Sequence, residues 1–117
     1  LEGKWSLKEM IQHIIDTERV FSYRALCFSR GETHKLPSFD QDDYVMRSEA
    51  SSRNLESLKR EFLLVRESTI LMFASFSEEQ WQSKGWVEQF EFTVSILGYI
   101  IVGHLNHHVK IIQSRYI

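Results

Sequence analysis

The sequence predicts an all-α fold of long helices packed on one another around one core. Three observations carry this. One proline and five glycines in 117 residues leave few breaks in the chain. Apolar residues recur at three- and four-residue spacing over long stretches, the period of an amphipathic helix. Polar residues that cap helices stand directly before those stretches.

The first helix is expected from Leu7 to about Ser29. Ser6 caps it and Glu9 reaches back, a reciprocal capping box, with Trp5 and Met10 placed for a hydrophobic staple. Gly31 ends it. Its apolar stripe reads Leu7, Met10, Ile11, Ile14, Phe21, Ala25 and Phe28. Glu18 falls in the middle of that stripe, where a leucine would be expected. A buried carboxylate needs a partner, and Arg66 on a later helix is the candidate. His13 lies at the stripe's edge, with Thr17, Val20 and Arg24 along the same edge.

Residues 31–47 read as a loop with one short helical turn. They hold Pro37 and the acids Asp40, Asp42 and Asp43, whose spacing lacks the glycine and distal glutamate of an EF-hand. His34 reads as a solvated loop residue. A second long helix follows, from Ser48 or Ser51 to Phe76. Its seam is Leu55, Leu58, Phe62, Val65, Thr69, Met72 and Phe76, read as plain core. Ser77 to Gln80 form another capping box, opening a short helix that Gly85 ends. Residues 86–92 form a connector with alternating aromatics, where a strand has no evident pairing partner. Thr93 caps the last helix, which runs to near Arg115.

That last helix carries the chemistry. Three of the five histidines lie within residues 104–108. His104 and His108 are four apart and share a face. Leu97, Ile100 and Ile111 fall on the same side at about 100° per residue, so the face looks inward. Two buried imidazoles need a partner, either a transition metal or a hydrogen-bonding group. His13 is the natural third ligand from a facing helix. Three neutral imidazoles leave an open coordination position, the pattern of a catalytic metal site. Zinc is the default ion, with nickel, iron or manganese as alternatives. No glutamate is interposed as in HExxH, so a zincin protease is not supported. His107 sits about 60° from His104 on the other side and is a rival to His108 as ligand, its alternative role being a hydrogen-bonding neighbour at the rim.

Composition excludes other classes. Apolar residues are 43% and charged residues 26%, with a formal net charge of −2, so neither nucleic acid nor a membrane is expected as a partner. Cys27 stands alone, which excludes an internal disulfide and fits a cytoplasmic setting. It reads as a small buried hydrophobe.

The run Trp5-Ser6-Leu7-Lys8-Glu9-Met10-Ile11-Gln12-His13 resembles the opening motif of the DinB-like (YfiT-like) metal-dependent hydrolases. Glu18 and Arg24 match positions commonly acidic and basic there. Residues 77–81 resemble the family's linker, and Thr93-Val94 with His104 to His108 resembles its closing H-x-x-x-H helix. The resemblance implies a single DinB-like domain over residues 1–117, a four-helix bundle, and a divalent metal, zinc or nickel, held by His13, His104 and His108. Arg24 and His107 would stand behind these ligands. It further implies a hydrolase or a thiol-dependent S-transferase acting on a small molecule, with a low-molecular-weight thiol as a candidate cofactor. The rival reading is a metal-free bundle serving binding or dimerisation. The family's helix before the Trp-Ser motif has no counterpart in a chain that starts at Leu1. Either residues are missing or another subunit completes the bundle, and a homodimer is the expectation.

Overall fold

A computed structural model describes residues 5–115. Helix α1 spans Leu7–Ser29, α2 Gln41–Ser48, α3 Leu55–Ala74, α4 Glu78–Trp81 and α5 Val94–Arg115. A 3-10 turn covers Ala50–Ser52, and strands β1 (Lys84–Val87) and β2 (Phe90–Thr93) form a hairpin. The fold is all-α apart from that hairpin.

The caps read from sequence are formed. Ser6 accepts from the Glu9 amide while Glu9 accepts from the Ser6 amide. Ser77 and Gln80 repeat the arrangement, and the Thr93 hydroxyl accepts from the Ile96 amide. Gly31, at φ 81°, closes α1. Its amide donates to the Phe28 carbonyl, and the next amide, of Glu32, donates to the Cys27 carbonyl. This is a Schellman motif, which needs the left-handed conformation that glycine adopts without strain.

Three boundaries differ from the expectation. Residues 41–48 form a full helix, because Asp40 accepts from the amides of Asp42 and Asp43 and so caps it. The second long helix starts at Leu55, not Ser48 or Ser51, because Asn54 accepts from the Ser57 amide. Finally, residues 84–93 pair with themselves, Gly85 opposite Phe92 and Val87 opposite Phe90. The expected lack of a strand partner is therefore corrected: the partner is Phe90–Thr93, two residues further on. Gly85 lies inside β1 rather than ending α4. The hairpin also clamps the loop before α2, since the Leu36 amide donates to Trp86 and the Glu88 amide donates to Leu36.

Helix α1 is the central element. It packs against both α3 and α5. Ala25 and Phe28 meet Val94 and Leu97, whereas His13 meets His104 and His108, so α5 runs antiparallel to α1. Gln12, Glu18 and Ser22 bond Arg53, Arg66 and Thr69 in order, so α3 runs parallel to it. The expected seam is buried at Leu58, Val65 and Thr69 of α3, and at Phe76, which lies two residues past the helix end at Ala74 rather than inside it. Between α3 and α5 runs an apolar groove of about 550 Å³ that includes Ile70, Phe73, Trp81, Tyr99 and Val102. No α1 residue lines it. The expectation of self-association rests on surface of this kind.

Glu18 is 3% exposed. The Arg66 Nε donates to both of its carboxylate oxygens at 3.1 and 3.0 Å, and Nη2 donates to Oε1 at 2.6 Å. Such a fork is the geometry that offsets the cost of burying a carboxylate. Glu18→Leu alone strands the guanidinium and is expected to cost about 3 kcal/mol, whereas Glu18→Leu with Arg66→Met recovers most of that. Urea unfolding of the four proteins of this cycle measures it. A second expectation concerns Gly85, where an added Cβ would lie 2.0 Å from the fully buried Phe28 ring. Gly85→Ala should lower stability by about 1–3 kcal/mol through overpacking, read as a lower urea midpoint at unchanged slope.

Candidate metal centre

His13 and His108 are 1% and 0% exposed, and His104 is half-buried. The antiparallel packing of α1 on α5 sets the middle of one helix's first half against the second half of the other. Their rings meet there through Nε2. The Nε2 atoms of His13 and His104 are 3.0 Å apart, and those of His108 and His104 are also 3.0 Å apart. Three ligating ring nitrogens thus fall within 4.8 Å of one another.

Hydrogen bonding alone accounts poorly for this cluster. A ring nitrogen carries either one proton or one lone pair. The Nε2 of His104 faces two other ring nitrogens, so it can satisfy one of them well and not both. Three ring nitrogens gathered this closely suit a cation instead. Two nitrogens bound to one tetrahedral zinc at about 2.05 Å stand about 3.3 Å apart, close to the spacing found. The three rings therefore fit a divalent ion.

The surroundings prepare the ligands. Burial, then the neighbouring His104 and His108, lower the pKa of His13 to about 3. It is thus a neutral imidazole near neutral pH, the charge state a metal ligand requires. The Thr17 hydroxyl lies 3.4 Å from His13 Nδ1, one turn along α1. That contact leaves Nε2 to face the other histidines. Trp5 packs its ring 4.7 Å from that of His13 and closes the site on one side. Ile14, Thr17, Glu18, Ile101 and Leu105 pack around the half-buried His104 ring and leave no space there for a water molecule.

Of the residues expected behind the ligands, one lies near them and one does not. His107 is exposed, with its ring 5.1 Å from that of His108, at the rim. Arg24 does not support the site. Its Nη2 donates to the Pro37 carbonyl at 2.9 Å, and it sits eleven residues from His13, roughly 16 Å along the helix. The helical phase was right, since both share a face, but phase says nothing about distance along the axis. Thr17 and Trp5 escaped the sequence reading as site residues. The signal for Thr17 was its i+4 spacing from His13. His34 is exposed and, among the described residues, pairs with Glu32, as a solvated loop residue should.

Comparison with protein families matches residues 1–112 to the family described as the DinB superfamily. No curated protein and no solved structure matches the chain. The family match spans nearly the whole sequence, including both histidine motifs whose rings the bundle brings together, and the chain belongs to the DinB superfamily.

Proposed function

We propose that this chain is a small metal-dependent enzyme, a hydrolase or a thiol-dependent S-transferase. His13, His104 and His108 would hold one divalent ion, zinc or nickel. The observation that carries the reading is the meeting of three Nε2 atoms, two pairs of them at 3.0 Å. Such an ion supplies Lewis-acid chemistry, lowering the pKa of a bound water or thiol. The chain's own residues do the rest. Thr17 orients His13, and Trp5 with the α1 and α5 core keeps water from one side of the rings. The half-buried His104 marks the side on which a small substrate would enter. Glu18, tied to Arg66, is fixed beside that ring.

Metal analysis of protein purified without a nickel column tests the reading, and about one ion per chain is expected. His13→Ala and His108→Ala should each lose most of it, since two imidazoles bind weakly. His107→Ala should keep most of it. A metal-free wild type that takes up neither zinc nor nickel on dialysis would leave the binding-module reading standing instead. Nitrophenyl ester turnover, set against conjugation of a small thiol to an electrophile, separates the two enzyme classes.

The histidine cluster also sets a pH dependence. His13 in the unfolded chain titrates near 6.5, whereas in the fold its pKa is lowered to about 3. Between these values the unfolded chain binds a proton that the native protein does not. His13 therefore adds no slope above pH 6.5, and its share of stability is lost as the pH falls below that. For one proton the slope is at most about 1.4 kcal/mol per pH unit. Urea midpoints of metal-free protein at several acid pH values should fall more steeply for the wild type than for His13→Gln.

A further inference from the structure

Arg24 is a buried cation with little to hold its charge. It is 7% exposed. Its one hydrogen bond to a protein acceptor, among the described residues, is the bond from Nη2 to the Pro37 carbonyl. No carboxylate of the described residues pairs with it, whereas the comparably placed Arg66 and Arg53 each have a glutamate. The rings of Phe21 and Phe39 lie 5.0 and 5.8 Å from its Cζ and offset part of the cost. A guanidinium has five N–H donors, so most of them remain for another acceptor. Burying a cation without a counter-charge is costly, and burial does lower the pKa of Arg24.

Arg24 lines a cavity of about 300 Å³ where α1 meets the 36–39 loop and α2. Volumes from about 300 Å³ upward are those of small-molecule sites. Leu36 and Phe39 give apolar wall, Tyr23 and Tyr44 add rings with hydroxyls, and Arg19 supplies a second cation. Arg19 is already engaged by Glu61, which leaves Arg24 as the anchor. No acidic residue lines the cavity.

We propose that this cavity binds a small organic oxyanion, a carboxylate or a phosphate monoester with an aromatic or aliphatic body. The anion takes the Arg24 guanidinium as its partner, and the body lies against Leu36, Phe39 and the tyrosines. The histidine cluster lies roughly 16 Å away along α1, so binding here stands apart from the reading of that centre.

The test is titration of metal-free wild-type protein with benzoate, phenyl phosphate, inorganic phosphate and benzyl alcohol. Amide and arginine side-chain NMR shifts provide the readout. Saturable shifts at the Arg24 Nε–H and at the amides of residues 38, 39 and 44 are expected for benzoate or phenyl phosphate. Benzyl alcohol should bind about tenfold more weakly or worse. Arg24→Met should remove the preference for the charged probe. If that variant does not fold, the wild-type shift map still decides. The proposal is overturned if neither aromatic anion saturates, or if the shifts fall elsewhere. It is equally overturned if benzyl alcohol binds as tightly as benzoate, or if inorganic phosphate binds as tightly as both aromatic anions.

Discussion

Helix α1 is buried along almost its whole length, yet it carries Gln12, His13, Thr17, Glu18 and Arg24 among its buried positions. Each of those polar groups costs a few kcal/mol in the interior unless something meets it. That constraint shapes the molecule. Glu18 is met by Arg66 and Gln12 by Arg53, both from the α3 side. His13 is met by two histidines from α5, and Arg24 by the carbonyl of Pro37 in the crossing loop. The helices beside α1 are therefore fixed in register by polar pairs as well as by apolar packing. A slip of one turn along α1 would break several of these pairs at once.

The features legible in the sequence were those set by local chemistry or by a single forced pairing. Ser6, Ser77 and Thr93 announce helix starts because a cap needs only a side chain and an amide three residues on. His104 and His108 could be read as one face because four residues make about one turn. Glu18 could be matched to Arg66 because a carboxylate in an apolar stripe needs a cation, and Arg66 lay beside the facing seam. What escaped was competition between similar signals. Ser48, Ser51 and Asn54 all resemble caps, and the 3-10 turn at residues 50–52 decides in favour of Asn54. Asp40 looked like one of several loop acids, although its carboxylate caps α2. The hairpin is only four residues a side, too short for alternation to declare itself. Arg24 was misplaced for a different reason, since a helical wheel collapses the axis along which it is distant from His13.

The hairpin shows how a small element positions the rest. Its β1 lies on the C-terminal part of α1, where Gly85 allows the backbone to approach the Phe28 ring. Leu36 then bridges to Val87, which pins the loop preceding α2. With that loop fixed, Pro37 presents its carbonyl to Arg24, and α2 packs along α1. The arrangement fixes one end of α1 by the hairpin and the other by the Trp5 cluster. Between those anchors, the histidines of α5 are held opposite His13.

The donor set at that meeting point has an electrostatic consequence. Three neutral imidazoles do not offset any of the charge of a divalent ion, unlike a set that includes a carboxylate. Glu18 lies beside His104, but the fork from Arg66 already compensates its charge. A loaded centre would therefore keep close to its full positive charge, in a pocket whose dielectric screens it less than water does. Such a field favours whichever ligand carries negative charge, hydroxide over water and thiolate over thiol. This is why hydrolysis and thiol transfer fit one geometry equally well. Under the proposed reading, the choice between them would rest with what reaches the half-buried His104, and not with the ligands themselves.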